Sequence, residues 1–132
     1  MQVLNFKDLN NINFPKTAVA LGSFEALHAG HLNIIENTVK CAKENNIKSI
    51  ITIFREPVLK NRITVCETFR ERLEIIESTG ADYVVVFDFN DEFKKLEYFE
   101  FFYTVYTFVN CYRVIMEYRN VTLYYNLIVT FF

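Results

Sequence analysis

Both histidines of the chain fall within LGSFEALHAGHLNII, residues 21–35, at positions 28 and 31, with Gly30 between them. An apolar run precedes them and a helical pattern follows. If a strand feeds a turn here and a helix starts near Gly30, the first helical N–H groups have no internal partners, and the helix dipole adds partial positive charge there. Such an end attracts phosphate. Gly30 has no Cβ, so a nucleotide phosphate can approach the backbone, and His28 and His31 would aim imidazole N–H donors at the same volume. This set suits nucleotidyl transfer, because attack on an α-phosphate builds charge on its oxygens and catalysis comes from aimed donors and alignment. Imidazole can donate as a neutral ring or as a cation near neutral pH, and no covalent enzyme intermediate is required.

Other readings of the same residues stay open. His28, His31 and Glu25 could hold a metal ion, although a catalytic zinc ordinarily takes three protein ligands and the chain has no further histidine. The pair could simply cap a turn. A GxGxxG dinucleotide fingerprint is absent, since Gly22 and Gly30 are eight apart. Phe24 could wall an adenine or join the core. Arg55, Lys60 and Arg62 could reach phosphates from a loop or belong to a solvated charged segment. Arg70 and Arg72, with Glu71 and Glu74, read as an exposed helix face with local ion pairs. Asp88 and Asp91 sit where a ligand edge is expected, yet Asp also starts helices routinely.

The elements that must position these groups alternate. TAVALG (17–22), KSIITIF (48–54) and ADYVVVFDF (81–89) read as strands apolar on both faces. Between the first two, Leu32, Ile35, Val39 and Ala42 recur at helical spacing, ending at Asn45 and Asn46. Between the last two, Thr68 and Glu71 form a capping box ahead of Phe69, Leu73 and Ile76, and Gly80 supplies the stop. DEFKKLEYFEFF has a helical start. The expected fold is α/β: a Rossmann-like parallel sheet with helices on both faces, ligands lying beyond the carboxyl ends of the strands. From Tyr98 the character changes: 13 of the last 35 residues are Phe or Tyr, against nine in the first 97. No single period runs through that stretch, which reads as an irregular aromatic-rich tail, prone to aggregate if unpaired. The division expected is an α/β domain over 1–102 and a tail over 103–132.

Composition sets the remaining bounds. The chain has 132 residues, 52% of them hydrophobic, a size suited to one domain. A net charge of -2 and a pI near 5.7 give no global basic field for nucleic acid or an anionic membrane, so a partner phosphate must be held locally. Cys41, Cys66 and Cys111 form no CxxC pair and read as reduced thiols. No secretory leader and no apolar run long enough to span a bilayer is evident, which points to a cytoplasmic protein.

GSFEALHAGH resembles the G-x-F-D-G-x-H-x-G-H signature of the bacterial FAD synthetase nucleotidyltransferase module, within the superfamily marked by HxGH after the first strand. IITIFREP resembles that family's second strand and following turn, and TFRERLEIIESTGADYVVVFDFNDEF its helix, third strand and phenylalanine-acidic segment. The resemblance spans roughly residues 1–102. It implies that Gly22, Ser23, Phe24, His28, Gly30 and His31 bind ATP, with His28 and His31 catalytic and contacting the phosphates. The implied reaction is adenylyl transfer from ATP to FMN, giving FAD and pyrophosphate, with Mg²⁺ bridging the triphosphate. Glu25-Ala26 replaces the signature's Asp-Gly, and Glu56-Pro57 the usual histidine-proline. The family's later glycine-rich flavin-side segment, its second nucleotide motif and the riboflavin kinase module have no counterpart after Phe102, which implies impaired catalysis by this chain alone. The alternatives are transfer to another phosphate acceptor and a non-catalytic nucleotide-binding remnant.

Overall fold

The apolar runs of the sequence become strands because they can be buried from both sides. In the computed structural model, which describes residues 1–56, 67–96, 100, 103, 105, 109–118 and 121–126, every residue of β2 (Thr17–Ala20) is buried. β3 (Lys48–Phe54) and β4 (Tyr83–Phe87) are buried over most of their length. The helices between them are α1 (Ala29–Glu44) and α2 (Phe69–Ser78). Three further strands complete the sheet, β1 (Gln2–Asn5), β5 (Cys111–Tyr118) and β6 (Val121–Asn126). A 3₁₀ segment, Phe6–Asn11, follows β1, and a single turn of helix, α3 (Asp91–Lys94), follows β4.

The strand order is β1-β4-β3-β2-β5-β6. The first five run parallel and β6 is antiparallel to β5. The α/β, Rossmann-like parallel sheet expected from the sequence is therefore present. Alternation along each strand splits the core in two. Ala18, Ala20, Ile51, Ile53, Val84 and Val86 pack with Ile34, Ile35 and Val39 of α1 and Ile76 of α2. On the other face, Val19, Ile50, Val85 and Phe87 pack with Leu9, Phe14, Val105 and Val109.

Local signals in the sequence fix the helix ends. Thr68 Oγ1 accepts from the Glu71 N–H and the Glu71 carboxylate accepts from the Thr68 N–H, the reciprocal pairing anticipated at the start of α2. Gly80, at φ 84°, turns the chain out of that helix into β4.

Three strands escape the sequence reading. β1 has only two apolar residues, Val3 and Leu4, so its pattern is too short to announce a strand. It forms because the exposed edge of β4 offers a parallel partner. β5 and β6 lie within the aromatic-rich stretch. β5 docks beside β2, where Thr17 donates its hydroxyl to the Val109 carbonyl at 2.6 Å and Leu21 N–H donates to Ile115 O at 3.1 Å. Lys60, Arg62 and Cys66, and Tyr98 to Phe102 apart from Glu100, lie outside the described residues.

This order positions the histidine segment. The chain runs outward from β2 to β3 to β4, then crosses back to place β5 on the far side of β2. The carboxyl end of β2 thus lies where the direction of winding reverses, the place where ligand crevices open in such sheets.

Candidate functional site

The loop between β2 and α1 is held residue by residue. Gly22 N–H donates to Thr52 Oγ1 at 3.1 Å, and the Ser23 carbonyl accepts from Phe54 N–H at 3.1 Å. Both partners belong to β3. The chain then leaves β3 at Phe24, which adopts φ 44°, in the left-handed region that a bulky side chain rarely enters. Its ring folds back over Gly22: a Cβ at that position would come within 2.9 Å of two ring atoms. Glycine is required there for close approach. Farther on, Leu27 N–H donates to a Glu67 carboxylate oxygen at 3.3 Å.

His28 is the N-cap of α1, extended at φ -75° and ψ 172°. Its Nδ1 accepts from the Gly30 N–H at 3.2 Å, satisfying one of the orphan donors of the first turn, and its carbonyl accepts from Leu32 N–H. His31, on the first turn, places Nδ1 against the carbonyl oxygen of Ala26. The two rings stack, with centroids 3.8 Å apart and planes at 24°. The ring of Phe24, 2% exposed, meets that of His31 in a T-shaped contact at 5.3 Å and 89°.

These partners assign the protons of the neutral rings. An N–H donor faces Nδ1 of His28, so that nitrogen is the acceptor and Nε2 carries the proton. A carbonyl can only accept, so Nδ1 of His31 is the donor. Among the described residues, Nε2 of each ring has no partner. One histidine therefore offers Nε2–H as it stands, whereas the other offers Nε2 as a lone pair and becomes a second donor only as the imidazolium.

The six residues expected to bind ATP, Gly22, Ser23, Phe24, His28, Gly30 and His31, are thus close together, but they differ in exposure. His28 and Gly30 are exposed, Gly22, Ser23 and His31 are half-buried, and Phe24 belongs to the core.

Arg72 is a correction. Read from the sequence as part of an exposed face, it is 2% exposed. Nη1 donates to the carbonyls of Phe24 at 3.1 Å and Phe54 at 2.9 Å, and Nη2 donates to that of Arg55 at 2.9 Å. Burial lowers its pKa from the ordinary value, against the charges of Glu25, Glu67 and Glu56, which raise it. Helical spacing alone could have shown the error: Arg72 shares a face with Phe69 and Ile76, three before and four after. Arg70 pairs with Glu74 at 3.0 Å on the solvent side, as expected.

Arg55 is engaged elsewhere. Its Nε donates to Asp88 at 2.8 Å and its Nη2 to Asn5 Oδ1 at 3.2 Å, tying together the carboxyl ends of β3, β4 and β1. Asp91 lies in the first turn of α3, which Asn90 caps. A hollow of about 300 Å³ opens between Asn5, Phe6, Asp88 and Phe93, at the carboxyl ends of β1 and β4. It shares an edge of the sheet with the histidines but lies two strands away from them. The described residues include no cluster of three or more His, Cys, Asp or Glu fit to hold a metal ion, and no helix among them is long and apolar enough to cross a membrane.

Comparison with known proteins gives this geometry a family. The chain is similar to bifunctional riboflavin kinase/FMN adenylyltransferases of Buchnera aphidicola. Identity is 29% with the protein from the Schizaphis graminum subspecies and 27% with that from the Acyrthosiphon pisum subspecies. Each match spans 97 residues, 70% of this chain and 30% of the relative. Among solved structures, a macrolide-efflux protein from Streptococcus pneumoniae superposes with a TM-score of 0.71 at 22% identity. That match covers 88% of this chain and 41% of the other, and at this identity it shows a shared fold alone. The family model for FAD synthetase matches residues 11–118, from the 3₁₀ segment to the end of β5, and the chain belongs to the FAD synthetase family.

Proposed function

We propose that this chain carries out adenylyl transfer from ATP to the phosphate of FMN, giving FAD and pyrophosphate. Gly22, Ser23, Phe24, His28, Gly30 and His31 form the ATP site, and His28 and His31 are the catalytic pair. The observation that supports this best is the stacked pair at the first turn of α1, whose Nδ1 atoms are both engaged with the main chain and leave both Nε2 atoms for a polyphosphate. Family membership supplies the reaction class.

In the transfer, a phosphate oxygen of FMN forms a bond to the α-phosphorus of ATP while the bond from that phosphorus to the bridging oxygen breaks, and pyrophosphate leaves. The chain acts as a template. His28 donates from Nε2–H to a phosphate oxygen without giving up the cap of α1. His31 keeps its Nδ1–H on Ala26, so it serves a phosphate as an imidazolium, donating from Nε2 toward the charge that develops at the bridging oxygen. Gly30 leaves room for the approach. Phe24 acts from below, fixing the ring of His31. Mg²⁺ enters as part of the substrate, held by phosphate oxygens and water, a hard cation that needs no protein cage in such sites.

The division into a nucleotide-binding region over 1–102 and an aromatic-rich region over 103–132 belongs to the same proposal, as do soluble behaviour and a cytoplasmic setting. The chain spans about 30% of the length of the curated relatives it matches. Purified protein given ATP, Mg²⁺ and FMN, followed by mass-spectrometric detection of FAD, tests the reading, with a His28→Ala/His31→Ala double variant as control. FAD above the control supports the transferase. Nucleotide binding lost in the double variant, without FAD from the folded wild type, favours a binding domain. Equal behaviour of the two proteins in both assays refutes the site.

A further inference from the structure

We propose that Arg72 is a positioning residue for the histidine pair, holding the β2–α1 loop in the conformation that fixes the proton on His31. The loop is anchored at Gly22 and Ser23 by β3, and at Leu27 by Glu67. At Phe24, where the backbone enters the left-handed region, the partner of the carbonyl is the Arg72 guanidinium. The same fork reaches Phe54 and Arg55 at the carboxyl end of β3, so one rigid planar group sets the distance between the loop and the sheet. Two residues beyond Phe24, the Ala26 carbonyl receives Nδ1 of His31, whose ring makes a T-shaped contact with that of Phe24. Displacing Phe24 therefore moves both the acceptor and the support of His31.

A left-handed bulky residue persists only where its surroundings over-determine it. Arg72 supplies that constraint from a different helix, and its Nε, buried, has no partner among the described residues. A lysine cannot reproduce a fork that spans three carbonyls on two segments, because its ammonium is a single point.

The inference rests on the proposed adenylyl transfer for its ligand, but its main readout needs none. The tautomer of His31 is read by ¹H–¹⁵N correlation in the free protein, from spectra taken where the ring signals no longer change with rising pH. The wild type should show His31 protonated at Nδ1. Arg72→Lys and Arg72→Met should lose that signature, while Asp82→Asn, which weakens a network at the opposite end of the sheet, should keep it. ATP affinity should fall about tenfold or more in Arg72→Lys, since small misplacements at such sites have large effects.

An unchanged His31 pattern in folded Arg72→Lys overturns the inference, and so does a wild-type His31 that lacks the Nδ1 proton. If Arg72→Met does not fold, Arg72→Lys decides. A failure of Arg72→Lys itself to fold assigns Arg72 to stability alone and also overturns the proposal. If the wild type binds no ATP, the proposed function fails, and Arg72 is still judged by the spectrum of His31.

Discussion

Replacing Gly22 by alanine tests the packing beneath the histidines most directly. The added Cβ would meet two atoms of the Phe24 ring at 2.9 Å, closer than carbon atoms tolerate, and a third at 3.2 Å. The ring cannot swing into solvent, because it is 2% exposed and its other contacts include the ring of His31. Its backbone cannot yield easily either, being held by Arg72. Overpacking of this kind costs about 1–3 kcal/mol. With an unfolding entropy of about 2.1 cal/mol/K per residue, a chain of 132 residues loses roughly 0.28 kcal/mol per degree near its midpoint, so Tm should fall by roughly 4–11 °C. Relief by a tilt of the ring moves His31, so the Nδ1–H signature should weaken as well. Thermal unfolding followed by circular dichroism gives the first quantity and histidine NMR the second. Gly80→Ala is the comparison: it strains a left-handed position, φ 84°, with only ordinary contacts for the new Cβ, and should lower stability without touching His31. A Gly22→Ala protein that melts within about 1 °C of the wild type and keeps its histidine spectrum would refute the close-packing argument.

The remaining predictions separate stability from function. His28→Ala should remove both the cap and the proposed phosphate donor, whereas His28→Asn, a good N-cap, should recover most of the roughly 1 kcal/mol of helix stability without recovering ATP binding, as urea unfolding and calorimetry would show. Thr68→Ala removes the capping box of α2 and should lower unfolding free energy by about 0.5–2 kcal/mol, read from urea midpoints at constant slope. Asp82 is partly desolvated, which disfavours its charge, yet hydrogen bonds from Lys48 and Ser49 hold its carboxyl below the ordinary value of 3.8. The unfolded chain then binds the proton more readily, so the contribution is complete above about pH 5 and is lost as pH falls below about 4 through the folded-state value. Asp82→Asn should flatten stability against pH over that acid range. An unchanged acid slope would show that the network does not act through this charge.

The resolution of these residues in the sequence follows from how local their signals are. The start of α2 was legible because the capping box involves two residues three apart, and the strands at 48–54 and 81–89 because burial from both sides leaves continuous apolar runs. The ends of the latter were trimmed to 83–87: Ala81 and Asp82 precede the paired residues, and Asp88 turns to meet Arg55. β1 was illegible because its stability resides in its partner, β4. β5 was hidden by aromatic neighbours that mask its alternation, although it pairs along β2, the strand that leads into the histidine loop.

Arg72 shows a different limit. A charged side chain within a helix reads as solvent-facing because burying an unpaired charge is unfavourable. Here three backbone carbonyls, supplied by the loop at Phe24 and by the end of β3, solvate it within the protein. None of those carbonyls has a sequence signature. Their convergence exists only once β3 lies beside β2, the pairing that also anchors the loop carrying His28 and His31. The histidines themselves were visible as residue types, but not their proton assignments, because these depend on Ala26 and Gly30 main-chain groups facing different rings. The chemistry of the site therefore resides in backbone geometry that conservative side-chain changes can disturb. The sharpest tests of it are Gly22→Ala and Arg72→Lys, substitutions that leave both histidines in place.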